Sequence, residues 1–289
     1  MSRSSTHRDQ RGGRTWFITG ASRGLGRAFT QAALERGDRV AAASRTGGPE
    51  ALASQHRNRL LPLTVDVTDR DAVLEAVATA AARFGRLDIV VNNAGALSLG
   101  MVEEFTEAEA RAQMEVNFFG ALWVSQAVMP QLRSQRAGHI VQMSSIGGVA
   151  GYASTGLYSA SKFALEGMSE ALAAEAARFG VSVTIVEPGG YWTDLYAAAR
   201  STRPNPAYAP LRSQLERQWA EGSVDSAPQL AAEAMMTLVD ADDPPARLLL
   251  GSAVYDLAAD ISRERIETWA RWEHVSRAAE SAVSAPPAP

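Results

Sequence analysis

The stretch Thr15-Trp16-Phe17-Ile18-Thr19-Gly20-Ala21-Ser22-Arg23-Gly24-Leu25-Gly26 decides how the rest of the chain is read. An apolar strand-like run ends in a glycine-rich turn, and Arg27 to Arg36 continues as a helical pattern. A turn of this kind bares backbone amides and the positive end of a helix dipole, which together favour a pyrophosphate. The spacing is GxxxGxG rather than GxGxxG. Taken alone, it leaves a ligand-free tight turn as the alternative.

Further short apolar runs recur at Val40–Ser44, Leu60–Val65, Leu87–Val91, His139–Met143, Val181–Val186 and Arg247–Leu250. With Thr15–Thr19 they predict seven strands, mostly separated by helical patterns. That order specifies an α/β fold with one seven-stranded parallel sheet, doubly wound in the Rossmann manner. Several runs hardly alternate, as expected for strands covered on both faces. Thr68 with Asp71 and Thr106 with Glu109 have capping-box spacing, and Gly37, Gly85 and Gly180 sit where helices should end. No repeat or linker divides the chain. Residues 1–14, with four Arg and one Asp, read as a flexible basic leader; residues 15–280 form the single domain; residues 281–289, Ala-, Ser- and Pro-rich, read as a disordered tail.

Composition narrows the chemistry. Of 289 residues, 28 are basic and 32 acidic, for a formal charge of −4, and 46% are apolar. There is no cysteine, and His7, His56, His139 and His274 are too scattered for a helical metal motif, so no metal site is expected. Without its leader the chain is more acidic still, which argues against nucleic acid. No run is long and apolar enough for a membrane span, and a soluble, cytoplasmic protein is expected.

A cofactor preference can be read at the end of the second strand. An acidic residue about 20 positions beyond the glycines would hold an NAD ribose hydroxyl. Here that strand ends Ala43-Ser44-Arg45. Arg45, with Arg23 in the glycine turn and the Ser44 hydroxyl, suits a 2′-phosphate and therefore NADP(H), although any one of 27 arginines is ordinarily a solvated charge.

Tyr158 and Lys162 stand four residues apart, on one face if that segment is helical. A free phenol titrates near 10, and a neighbouring cation would lower it, turning a tyrosine into a general acid/base. Such a pair is commonly a surface accident, yet Lys162 is the chain's one lysine. Ser145, thirteen residues before Tyr158 and just past the fifth predicted strand, returns to the same carboxyl edge of the sheet, where open α/β folds bind ligands.

Thr19 to Gly26, Asn92-Asn93-Ala94-Gly95, Asn117, Ser145, Tyr158, Lys162 and Pro188-Gly189 through Thr193 together resemble the short-chain dehydrogenases/reductases, in their compact branch with TGxxxGxG, NNAG and YxxxK motifs. The resemblance covers Thr15 to about Gly251. It implies a Rossmann-fold NAD(P)-dependent oxidoreductase acting on a small-molecule alcohol or carbonyl compound, usually as a homodimer or homotetramer. It assigns Tyr158 as proton donor, Ser145 to the substrate oxygen, Lys162 to the nicotinamide ribose and Asn117 to a relay water. It also implies that Gly20, Ser22, Gly24, Leu25 and Gly26 line the cofactor turn, that Asp66 and Val67 meet adenine, that Asn93, Ala94 and Gly95 follow the adenosine ribose, that Pro188 and Gly189 bind the cofactor, and that Thr193 contacts the carboxamide. Asn92 reads instead as a sheet hydrogen-bonding residue, and Ser144 as structural.

The resulting expectation is an NADP(H)-dependent oxidoreductase. An NAD-dependent alcohol or sugar dehydrogenase and a non-catalytic dinucleotide-binding regulator are the alternatives. In the resembled family the stretch after Thr193 forms a mobile lid, here about 194–223. Tyr191, Trp192 and Tyr196 with Tyr208 would border the substrate opposite Leu97, Leu99, Met101 and Tyr152, whereas Leu211, Leu215 and Trp219 have the spacing of a packed helix. Those side chains predict a bulky, largely apolar ketone or aldehyde.

Overall fold

The structure is a computed structural model that describes residues 13–47, 49–222 and 225–280. The basic leader up to residue 12, the tail 281–289 and the last residue of the expected lid, Ser223, lie outside the described residues. All seven expected strands form one parallel sheet. They are β1 (Thr15–Thr19), β2 (Arg39–Ser44), β3 (Leu60–Thr64), β4 (Ile89–Asn92), β6 (Gly138–Met143), β7 (Val181–Pro188) and β9 (Arg247–Leu250), in the order β3-β2-β1-β4-β6-β7-β9. Two strands escaped the sequence reading. β5 (Ser98–Leu99) and β8 (Arg200–Ser201) pair in parallel as a separate ribbon, too short to show a period of two.

Helices cover both faces. On one side α1 (Gly24–Glu35), α2 (Glu50–Gln55) and α10 (Pro228–Asp240) bury Phe29, Leu34, Leu52 and Met235 against Trp16, Ile18 and Val91. On the other α3 (Arg70–Phe84), α5 (Gly120–Gln135) and α7 (Gly156–Ala176) bury Val77, Val128, Leu132 and Ala176 against Phe17, Val90 and Ile140. α4 (Glu107–Met114), α6 (Ile146–Val149), α8 (Asp194–Ala197) and α9 (Ala209–Gly222) decorate the carboxyl edge, and α11 (Ser252–Ala278) follows β9. β1 and β4 are neighbours although the chain winds away from β1 through β2 and β3 before returning, so the crevice opens at the carboxyl ends of β1 and β4.

Local signals acted much as expected, with one correction. Thr106 and Glu109 form a capping box at α4, and Gly85 and Gly180 end helices in the left-handed region. Asp69, not Thr68, caps α3; its carboxylate accepts from Ala72 N, while Thr68 bonds Asp66 instead. A carboxylate one position nearer the helix suits the amides and the dipole better than a hydroxyl further out. Asn92 donates to Gln142 Oε1 at 2.9 Å and to Ser125 Oγ at 3.2 Å, bridging β4, β6 and α5 as its burial requires.

Candidate active site

The glycine turn is held from beneath by the loop after β4. Asn93 Nδ2 donates to the carbonyls of Thr19 at 2.9 Å and Gly20 at 3.3 Å, and the Thr19 hydroxyl accepts from the Asn93 and Ala94 amides. Gly20 and Gly24 have positive φ. A Cβ on Gly26 would stand 2.3 Å from Gly20 O and 2.5 Å from Asn93 Nδ2, so a glycine is compulsory there. Gly24 faces Thr193, whose methyl would lie 3.3 Å from a Cβ. The turn, half-buried Ser22 and Leu25, and the N-terminus of α1 thus form a cradle fit for a pyrophosphate.

Arg23 and Arg45 are exposed at this edge, and neither has an ion-pair partner among the described residues. The structure modifies the part expected of Ser44. Its hydroxyl donates to Gly47 O, closing the turn after β2, so its one hydrogen is already engaged. Asp66 is exposed and accepts from Thr68, and Val67 is buried against Gly120. Two basic side chains without an acid at the end of β2 fit a phosphorylated ribose by charge.

Tyr158 lies in the first turn of α7, and Ser145 caps α6 just past β6. The Tyr158 phenol and the Ser145 hydroxyl share a hydrogen bond, while Ser145 Oγ also accepts from Gly147 N at 3.1 Å. Lys162, one turn further along α7, is buried and donates to Met143 O at 2.8 Å; its Nζ lies 5.6 Å from the Tyr158 ring centroid. Burial overturns one expectation: it pushes Tyr158 up to about 12, against the pull of the Ser145 bond and with Tyr196 nearby adding to the rise. The phenol therefore stays protonated at neutral pH. Burial also brings Lys162 down to about 8, although Glu166 opposes the shift, so the ammonium is still largely charged at pH 7.

Asn117 sits in a π turn, Glu115–Phe119, between α4 and α5. Its Oδ1 accepts from Ala96 N at 2.8 Å, and its Nδ2 donates to Ala96 O at 3.0 Å and Ser161 Oγ at 2.9 Å. Ser161 in turn donates to Tyr158 O at 2.6 Å. Asn117 thereby bolts the loop after β4 to the helix bearing Tyr158, and Gly95 lies between Asn117 and Lys162.

Of the expected substrate wall, Leu97 and Met101 are buried, Tyr152 is at the edge of exposure, and Trp192 and Tyr196 are exposed at 73% and 56%. Tyr191 is buried and bridges to Ser226, and the Trp192 indole donates to Asp225 O at 3.0 Å. Pro188 ends β7, and a Cβ on Gly189 would meet Val254 at 2.5 Å, so that glycine is needed for α11 to pack.

Sequence reading missed the polar layer behind the site. Ser144 donates to Glu166 Oε1; Arg247 Nη1 reaches Glu166 at 2.5 Å and Glu187 at 2.6 Å, and its Nη2 reaches Glu170 at 2.7 Å. Gly148 leaves room for the Glu166 carboxylate, as Gly147 does for the Tyr158 ring. Glu166 stands four residues beyond Lys162, a spacing visible in the sequence; nothing marked Arg247 or Glu187 as its partners.

A family model described as short chain dehydrogenase matches residues 14–204. The chain belongs to the short-chain dehydrogenase family. This short-chain dehydrogenase is 38% identical over 270 residues to the oxidoreductase BOA17 of Botryotinia fuckeliana, covering 91% of this chain and 98% of that one. It is 39% identical over 250 residues to the 3-ketodihydrosphingosine reductase of Bacteroides thetaiotaomicron, covering 84% and 90%. A short-chain dehydrogenase structure from Streptomyces avermitilis superposes with a TM-score of 0.86 at 38% identity, covering 94% of this chain and 100% of that chain. One from Burkholderia cenocepacia in complex with NADP gives 0.71 at 29% identity, covering 90% and 97%. The protein is thus an oxidoreductase by family. Among the described residues, no helix is long and apolar enough to cross a membrane.

Proposed function

We propose that this short-chain dehydrogenase uses NADP(H) to interconvert a bulky, largely apolar ketone or aldehyde with its alcohol. The observation that carries the reading is the buried Tyr158 phenol, bonded to Ser145 and backed by Lys162 at the carboxyl edge of the sheet. The glycine turn with Ser22 and Leu25, the Asn93–Gly95 loop, Asp66, Val67, Pro188, Gly189 and Thr193 would hold the dinucleotide, with Arg23 and Arg45 on its 2′-phosphate. When bound, the nicotinamide supplies the hydride.

The chain supplies the rest. In reduction Tyr158 gives its proton to the substrate oxygen, and Ser145 donates a hydrogen bond to the same atom, so two donors meet the charge that develops there. The phenolate left behind is stabilised by Lys162, whose positive charge in a dry site acts over a longer distance than it would in water. Asn117 keeps the α7 start and the Ala96 loop in register. Leu97, Met101, Tyr152 and Tyr196 offer apolar surface; the Arg265 guanidinium near Tyr152 is engaged by Val149 O, and the wall favours hydrocarbon over a carboxylate or a sugar. The likeness to a relative named for a keto substrate on a sphingosine supports the same choice.

We also read the protein as a homodimer or homotetramer, an assembly that would cover the exposed Ile266, Trp269, Trp272 and Val275 of α11. Turnover of a homologous ketone series with each nicotinamide cofactor tests the enzymatic reading. Each added methylene contributes up to about 0.8 kcal/mol, about fourfold in kcat/KM, and NADPH is expected to bind more tightly than NADH. A flat series, faster turnover of sugars, or equal Kd values for the two cofactors would contradict the corresponding part.

A further inference from the structure

The stretch after Thr193 is fastened at both ends. At the near end Ser226 N donates to Gly190 O at 3.1 Å, Trp192 N to Ser226 O at 2.9 Å, and the Trp192 indole to Asp225 O. At the far end Arg200 N donates to Leu97 O and Thr202 N to Leu99 O, both at 3.0 Å, making the β5–β8 ribbon. Between these points lie only residues 193–199, which carry Tyr196.

Glu104 gathers that far end. Its side chain is 2% exposed and accepts from four donors. Oε2 takes Met101 N at 2.8 Å, Thr202 Oγ1 at 2.7 Å and the Arg212 guanidinium, and Oε1 takes Asn205 N at 2.7 Å. These donors come from the loop after β5, the end of β8, the turn before α9 and α9 itself. Gly100 gives Thr202 its place, since a Cβ there would stand 2.3 Å from Thr202 Oγ1. The same loop also reaches the catalytic helix, because Gly100 N donates to Ser154 O at 2.8 Å, immediately before α7. One carboxylate thus joins the wall formed by Leu97 and Met101 to the segment that returns from Tyr196.

We propose that Glu104 is a specificity-determining clasp: it fixes residues 200–212 to the substrate wall, confines the movable lid to residues 193–199, and so sets the width of the substrate cleft. Within the expected lid, residues 194–199 thereby become a flap pinned at both ends, while residues 213–222 lie beyond the clasp. A short flap closes on a substrate of limited bulk, whereas a long one adapts to many. An anionic carboxylate is required, because an amide in its place keeps one acceptor oxygen and turns the other position into a donor facing donors.

The substrate consequence rests on the ketone reading above; the mechanical one does not, and the test separates them. Glu104→Gln and Arg212→Gln are compared with wild type and with Glu103→Gln, whose exposed carboxylate meets Asn205 Nδ2 and Tyr208 among the described residues. Limited trypsinolysis reads the clasp directly, since Arg200 lies in the fastened segment and is followed by Ser201, whereas the Arg203–Pro204 bond resists trypsin. In Glu104→Gln, cleavage after Arg200 is expected to rise at least tenfold, with a smaller rise in Arg212→Gln and little change in Glu103→Gln. NADPH Kd is expected to stay within twofold, while the dependence of kcat/KM on ketone length flattens and KM for the shorter ketones rises. Unchanged cleavage in both clasp variants overturns the clasp. Faster cleavage with an unaltered ketone series overturns its role in specificity. If wild type reduces no ketone, the functional reading fails while the trypsin result still decides the clasp; if Glu104→Gln does not fold, Arg212→Gln decides it.

Discussion

Replacing Glu187 by glutamine should make the protein more stable at pH 8 relative to wild type than it does at pH 5. Glu187 is 3% exposed and lies beside Glu166, with Arg247 as their shared cation. Burial, reinforced by the Glu166 charge, raises its pKa from 4.5 to about 7 despite the Arg247 contact. A carboxyl whose folded pKa lies above its unfolded value binds its proton more tightly when folded. Its contribution to stability is full below pH 4.5 and is lost as pH rises through about 7. Between pH 5 and pH 8 the loss comes to roughly 2–3 kcal/mol at 1.36 kcal/mol per pH unit. Glutamine keeps an acceptor for Arg247 but has no proton to lose. The difference in Tm, variant minus wild type, should therefore grow by about 5–10 °C over that interval, at roughly 2–4 °C per kcal/mol for a chain of this size class. His139, whose pKa burial lowers to about 4, has the opposite pH dependence, but it is present in both proteins and cancels. Thermal denaturation of both proteins at half-unit pH steps is the assay. A Tm difference constant to within about 2 °C from pH 5 to pH 8 would refute the reasoning.

Tyr158→Phe removes the proton donor and should lower kcat by about 10²–10⁴, with the Kd for NADPH nearly unchanged; turnover close to wild type would remove Tyr158 from the mechanism. Arg45→Asp exchanges a phosphate partner for a repelling charge and should weaken NADPH by about ten- to a hundredfold while sparing NADH, as measured by titration of cofactor fluorescence. An equal loss for both cofactors would mean that Arg45 serves the turn rather than the phosphate.

The sequence alone determined the seven strands of the main sheet and their parallel arrangement, and it named the candidate residues of the site. These are encoded locally: an apolar run bounded by a glycine turn, or a tyrosine four residues before the chain's one lysine, is visible without knowing what packs against it. Tertiary structure alone decided what depends on approach between distant segments. β5 and β8 are two residues each and exist because Glu104 and residues 97–99 meet a segment about a hundred positions away. Thr68 lost its capping place to Asp69 by one position, a distinction that depends on where the helix begins. The phenol of Tyr158 rose when a cation was expected to lower it, because the packed site strips water from the ring hydroxyl and Tyr196 adds to the rise. Arg247, at the first position of the last strand, carried no local signal. Only the sheet brings it beside Glu166 and Glu187, where burial gives the three charges their meaning.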